Sequence, residues 1–185
     1  MLQTTSLKGK IEIAVHEGIA IERYLDTVGV WTIGIGVTKW ANAEIDPETY
    51  KDKITVRHAI DMMESVLPYY EDLVRQLIGP QTIYQHKFDA LVSAAYNLGP
   101  QFAAGTRTKI LIRAGRYGDA LMLWKKPRSI IRRRKKEAKL ADHGIYSGGM
   151  IGVWAGGVNG DPHRMIYQIS SDELADMMNP PLNFV

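Results

Sequence analysis

The chain of 185 residues contains no cysteine. Disulfides, thiolate nucleophiles and cysteine-based zinc sites are therefore excluded. Its five histidines, at 16, 58, 86, 143 and 163, include no His-x-x-x-His pair, so no metal site and no metal cofactor are expected. No apolar run approaches the roughly 20 residues that cross a bilayer. The N-terminal Met-Leu-Gln-Thr-Thr-Ser-Leu-Lys-Gly-Lys lacks the apolar core of a signal peptide. Export would then need another route. There is no internal repeat. Gly34-Ile-Gly36 opens like a nucleotide-binding fingerprint, but the third glycine would fall on Lys39, so no nucleotide site is expected there. Those glycines instead let the strand bend close to a ligand.

What is present suits a globular domain. The hydrophobic share is 45%, which argues against disorder. The net charge of +3 is unevenly spread: residues 142–185 hold one base, Arg164, against five acids, so the excess of positive charge lies on residues 1–141. A basic body suits an anionic polymer, whether nucleic acid, an acidic membrane face or cell wall. The densest run, Lys125 to Lys139, holds nine bases and one acid. It has no interleaved aromatics for stacking single-stranded nucleic acid, so it reads as a solvated helix face drawn to an anionic wall or membrane surface, with no specific nucleic acid as partner.

Periodicity predicts a helix over 7–17, with Ile11, Ala14, Val15 and Gly18 inward and Lys8, Lys10 and Glu12 outward. A hairpin follows over 19–37, where Tyr24, Trp31, Ile33, Ile35 and Val37 favour strands around a Thr27-Val28-Gly29-Val30 turn. Asp46-Pro47-Glu48 marks a loop or helix entry. Thr55 is the expected cap of a long helix to Ile78, kinked at Pro68, with a stripe of Ala59, Met62, Met63, Val66, Leu67, Tyr70, Val74 and Leu77. A second helix spans 84–98 with Phe88, Leu91, Val92 and Ala95 inward, ended by Gly99-Pro100. Shorter helices are expected at 106–113, 116–124 and 128–141. Residues 144–160 hold seven glycines and read as loop or weak strand, before a last helix at 171–178 capped by Ser170 or Ser171 and ended by Asn179-Pro-Pro181. The class is α+β: a small N-terminal hairpin lobe (about 18–54), a larger helical lobe (about 55–141 plus the first helix) with a cleft between them, and a glycine-rich acidic extension at 142–185 of unassigned role.

The chemistry concentrates in residues 16–36. Glu17 ends an amphipathic helix. A carboxyl held against apolar side chains loses hydration, which favours the protonated form that a general acid needs. By itself it reads more simply as a solvated, inert helix-end glutamate. Asp26 follows nine residues on and Thr32 six after that. With a turn centred on Gly29, Asp26 and Thr32 face each other across the strands, about 4.5–5.5 Å apart, where a carboxylate and a hydroxyl share one water. Taken singly, Asp26 is an Asx turn opener and Thr32 a plain strand residue.

Glu17-Gly18, Tyr24-Leu-Asp26 and Gly29-Val-Trp-Thr32-Ile-Gly-Ile-Gly36 resemble the phage-type lysozymes (endolysins) of glycoside hydrolase family 24, which read Glu-Gly, Tyr-x-Asp and Gly-x-x-Thr-Ile-Gly-x-Gly. The likeness extends through Ala95-Tyr-Asn-Leu-Gly99, Gly115 to Trp124 and Ile130 to Glu137, and covers roughly residues 7–141. It departs at Val37, where the family places a fold-bracing His, and at Arg132, where the family has Asn before its arginine pair. The resemblance implies a lysozyme-like fold. It implies hydrolysis of the β-1,4 bond between N-acetylmuramic acid and N-acetylglucosamine in peptidoglycan, with inversion, Glu17, Asp26 and Thr32 as catalytic triad, and no cofactor. Arg133 aligns with the family arginine that pairs with the catalytic glutamate. Asn97 is a candidate contact to a sugar acetamido group, or a helix-end Asn bonding its own backbone. Tyr24 and Trp31 are candidate saccharide walls, with core packing favoured, and His16 is a structural partner of Glu17. A monomer is expected, made in a host cytoplasm and acting on the wall after holin-dependent release, or carried in a virion. The alternatives are a catalytically silent lysozyme-fold module that binds peptidoglycan or serves as a scaffold, and a nucleic-acid-binding helical protein.

Overall fold

The computed structural model describes residues 2–42, 44–156 and 164–179. In chain order the elements are α1 (Leu7–Glu17), β1 (Ile19–Leu25), β2 (Trp31–Gly34), α2 (Val56–Ile78), α3 (Gln85–Leu98), α4 (Pro100–Ala104), α5 (Thr106–Arg113), α6 (Tyr117–Met122), α7 (Ile131–His143), β3 (Met150–Ala155), β4 (Arg164–Ser170) and α8 (Ser171–Met178). The chain forms two compact units. One comprises Met1–Ile13 and Leu67–Ser147, the other Ala14–Val66 and Gly148–Val185.

In the first, helical unit the stripe expected on α3 is fully buried, as Phe88, Leu91, Val92 and Ala95 show. Among the described residues four acids are buried beside the apolar core of this unit, Glu71, Asp89, Glu12 and Glu137, and each is met by donors. Glu71 accepts from the Thr5 amide at 2.7 Å and its hydroxyl at 2.8 Å. Asp89 accepts from the Ser6 amide and hydroxyl, Gln85 and the Tyr146 phenol. Burial, then that bond to Asp89, pushes the Tyr146 phenol well above its ordinary range. Glu12 corrects the expected orientation of α1. It does not face solvent but is buried, accepting from the Ser147 amide at 2.6 Å and hydroxyl at 2.8 Å. The inward face of α1 is Gly9, Glu12, Ile13 and, as expected, Ala14, while Ile11 and Val15 are half-buried. Gly9 has no Cβ to strike the Asp89 carboxyl, which a side chain there would meet at 2.5 Å, so this face can close on Asp89.

The basic run divides. A short 3-10 turn at Arg128–Ile130 precedes α7, which continues to His143, two residues past the expected end. Arg132, Lys135, Lys136 and Lys139 are exposed on α7, whereas Arg134 and Glu137 are fully buried. Glu137 accepts from Arg133 Nε at 2.9 Å, Arg134 Nη2 at 3.1 Å and Ser93 Oγ at 2.8 Å. Its second oxygen lies 3.0 Å from Arg134 Nε. Such a set is stable only while intact, because removing one member strands desolvated charge.

The second unit holds the sheet. Thr55 caps α2 as expected, its hydroxyl accepting from the His58 amide at 3.0 Å. The α2 stripe is buried throughout, Ala59 to Val66 in this unit and Leu67 to Leu77 in the first, and the helix runs on through Pro68. The sheet has order β2-β1-β3-β4. The β1–β2 and β3–β4 pairs are antiparallel, and β1–β3 is parallel. The glycine-rich stretch thus supplies a strand that flanks the hairpin, with Ile151 and Val153 buried. Ser170 caps α8 in a capping box with Glu173, whose carboxyl is held below its ordinary range by the Ser170 backbone and hydroxyl hydrogen bonds. The glycines at 157 and 160 and the prolines at 180 and 181 lie outside the described residues.

Glu137→Ala is expected to lower the unfolding free energy by about 3–5 kcal/mol, because Arg134 stays buried without its counter-charge. Urea denaturation with an unchanged slope measures this, and a loss under about 1 kcal/mol would contradict it.

Candidate active site

Helix α1 stops abruptly. The Gly18 amide donates to the Ala14 carbonyl at 2.8 Å, and Gly18 then takes the left-handed conformation, φ +71°. A residue with a Cβ adopts this at a cost of about 1–2 kcal/mol. The chain leaves the helix at once, so that Ile19 already belongs to β1 and Glu17 stands half-buried on the last helical residue.

The Glu17 carboxyl rests against a second glycine. Gly36 has φ +68°, and a Cβ there would lie 3.0 Å from Glu17 Oε2 and 3.2 Å from Cδ. Gly36 sits in the tight turn that follows β2, closed by Val37 N–H to the Ile33 carbonyl at 2.9 Å and the reciprocal bond at 3.0 Å. Gly36 approaches the Glu17 side chain and Gly34 packs on Ala59 of α2, so both glycines give room to other parts of the protein. Val37, where the resembling sequences carry His, is a core residue, 1% exposed.

The hairpin register differs from the one expected. Thr32 pairs with Tyr24 and Trp31 with Leu25, and the Asp26 amide donates to the Val30 carbonyl. The turn is therefore centred on Val28, not Gly29, and Asp26 is not opposite Thr32. The cause lies in Asp26 itself. Its Oδ1 accepts from the amides of Val28 at 2.9 Å and Val30 at 2.8 Å, so the turn closes around the side chain, one residue tighter than symmetry about Gly29 requires. Asp26 and Thr32 become diagonal neighbours on one face, a relation that puts Cα atoms about 7–8 Å apart. The Thr32 hydroxyl donates to the Val30 carbonyl at 3.2 Å, and Thr32 is buried. Tyr24 is half-buried beside it. Trp31 is not core: it is half-buried, and the Arg23 guanidinium lies 4.5 Å from its ring centre.

Of the remaining candidates, Arg133 and Asn97 belong to the helical unit and His16 to the sheet unit. Arg133 is half-buried and donates to Glu137 and, at 3.1 Å, to the Ser93 carbonyl. Asn97 is exposed, and its side-chain oxygen accepts from Arg134 at 3.0 Å rather than serving its own backbone. His16 is half-buried in the last turn of α1. Among the described residues no group of three His, Cys, Asp or Glu side chains is arranged to hold a metal ion. Two features, one in each unit, escaped the sequence reading. Gly36 as the seat of the Glu17 carboxyl has only the Gly-x-Gly spacing as a signal, and the buried partnership of Arg134 with Glu137 has none beyond the i, i+3 spacing.

A lysozyme-like α+β protein with a glutamate at a helix end and an aspartate and threonine on the following hairpin defines a class, and comparison with known proteins agrees. Residues 14–137 match the phage lysozyme family, and the chain belongs to it. It is 28% identical over 149 residues to the endolysin of Salmonella phage P22, covering 76% of this chain and 98% of that protein. Among solved structures it is similar to an endolysin from Escherichia coli O157:H7 phage FAHEc1, with TM-score 0.67 and 27% identity over 77% of this chain and 95% of that one. It shares its fold with the muramidase domain of SpmX from Asticaccaulis excentricus, with TM-score 0.63 and 23% identity over 76% and 98% of the two chains.

Gly36→Ala should displace the Glu17 carboxyl and strain the turn. The expected result is a stability loss of about 1–2 kcal/mol and a fall in lytic rate of about tenfold or more. Turbidity clearing by the soluble, folded variant tests this, and full activity would show that Gly36 does not seat the carboxyl.

Proposed function

We propose that this protein is a peptidoglycan-hydrolysing endolysin, a muramidase that cleaves the β-1,4 bond between N-acetylmuramic acid and N-acetylglucosamine with inversion. The observation that carries the reading is the pairing of roles in one compact unit. A glutamate is fixed at a helix end by a glycine seat, and an aspartate on the adjoining hairpin keeps one oxygen in the turn. The relatives' names, endolysin and muramidase, support the same reading.

Glu17 protonates the leaving glycosidic oxygen, and Asp26 is the base. Its Oδ1 is committed to the turn amides, so Oδ2 is the atom that takes a proton from water. Thr32 already donates to the Val30 carbonyl. Its hydroxyl therefore offers a lone pair, and a water that donates one proton to Thr32 and the other to Asp26 turns its own lone pair toward the anomeric carbon. Inversion calls for carboxyl groups roughly 6.5–9.5 Å apart, leaving room for that water. Tyr24 and Asn97 are assigned to saccharide contacts. Arg133 is assigned to the substrate side as well, and it also orders the Glu137 cluster through its bonds to Glu137 and the Ser93 carbonyl.

The exposed cations of α7 and the preceding loop suit an anionic wall or membrane surface. Among the described residues no helix is long and apolar enough to cross a membrane. Release to the wall through a holin, or delivery with a virion, fits the proposed activity.

Two variants test the roles. Glu17→Gln is expected to reduce release of soluble muropeptides roughly a thousandfold with the fold intact, and unimpaired lysis would refute the assignment. Asp26→Asn keeps an oxygen for the Val28 and Val30 amides and removes the base, so activity should vanish while stability changes by under about 1 kcal/mol. An NMR reading of the first-formed anomer checks inversion, since a β product would exclude it.

A further inference from the structure

The strand β3 lies outside the residues that match the family, yet it is built into the sheet whose strand β1 follows directly on the proposed acid. Its parallel pairing with β1 sets Ile19 opposite Val153 and Ala20 opposite Trp154, beginning one residue after the Gly18 pivot. Three glycines permit so close an approach. A Cβ at Gly18 would stand 3.1 Å from Trp154 Nε1 and 3.4 Å from Cδ1. One at Gly152 would meet the same Nε1 at 2.6 Å, and one at Gly156 would run into the backbone carbonyls of Glu22 and Arg23. The half-buried indole therefore occupies the space that side chains at 18 and 152 would fill, against the segment that joins Glu17 to the sheet.

We infer that Trp154 is a positioning residue for Glu17, holding the Gly18 pivot so that the carboxyl keeps its aim. This rests on the muramidase reading above. A glycine between a helix end and a strand has the widest backbone freedom of any residue, and nothing in its own side chain restrains it. The sheet fixes the chain from Ile19 onward, and α1 fixes it up to Glu17. The link between them is Gly18, held on one side by its amide bond to the Ala14 carbonyl and on the other by the indole packed against it. A displacement of about 1 Å at a reacting group costs up to a hundredfold in rate, so a restraint on this single pivot is enough to matter. Trp154 touches no reacting atom in this scheme; it acts through Gly18 and Glu17.

The test compares Trp154→Ala, Trp154→Phe and Trp154→Leu in the full-length chain on purified peptidoglycan, with folding checked by thermal unfolding. Trp154→Ala is expected to lower kcat by about tenfold or more while KM stays within about twofold, and Trp154→Phe, which keeps a planar ring over Gly18, should recover most of kcat. A merely structural role predicts a loss of folded protein with normal kcat per folded molecule. A substrate-contact role predicts a raised KM at constant kcat. Either result, or unchanged kcat in Trp154→Ala, overturns the inference. If Trp154→Ala does not fold, Trp154→Leu gives the same division between kcat and KM. Glu17→Gln run in parallel separates the two levels: an active Glu17→Gln defeats the muramidase reading itself, whereas an inactive Glu17→Gln beside a fully active Trp154→Ala defeats only the role given to the indole.

Discussion

Helix α1 has to end on a carboxylate and become a strand within one residue. The left-handed backbone of Gly18 makes that possible, and the arrangement around Glu17 depends on it. A residue with a Cβ at 18 would face both conformational strain and the Trp154 ring. Gly36 plays the complementary part from the other side, since its missing Cβ is the space into which the Glu17 carboxyl fits. The Glu17 carboxyl is thus located by two absent side chains, beside a hairpin that β1 anchors from the middle of a four-stranded sheet rather than from an edge.

Charge is handled by separation. The run from Lys125 to Lys139 sends Arg132, Lys135, Lys136 and Lys139 to solvent and turns Arg133 and Arg134 inward onto Glu137. Exposed cations contribute little to stability, whereas the inward set is costly to break and fixes α7 against α3 through Ser93. The same logic recurs at Glu71, Asp89 and Glu12. Each buried acid is met by a backbone amide and a hydroxyl from one residue of a chain terminus or connector: Thr5, Ser6 and Ser147 respectively. These segments have few apolar side chains of their own, and the charge-assisted hydrogen bonds hold them in place.

The helices were legible because burial and period agree. The α2 stripe, the inward face of α3 and the caps at Thr55 and Ser170 follow from local residue type. Glu17, Asp26 and Thr32 could also be picked out, since their spacing is a property of the chain. The face of α1 could not be read correctly: burying Glu12 depends on Ser147, distant in sequence, and no rule of helical repeat anticipates a carboxylate whose donors arrive from there. The hairpin register was missed because symmetry about a glycine is a weaker determinant than an aspartate side chain that captures two amides.

The sequence by itself determined most of the helices, the presence of the hairpin, the candidate residues Glu17, Asp26 and Thr32, and the family, because these depend on residue identity and short-range spacing. Only the tertiary structure decided the turn centre, the glycine seat for the carboxyl and the destination of the C-terminal glycines. Strand pairing between residues more than a hundred positions apart, as between Ala20 and Trp154, is set by which backbone groups find partners when the sheet forms, and a weakly patterned, glycine-rich segment carries almost no local signal of where it will pair.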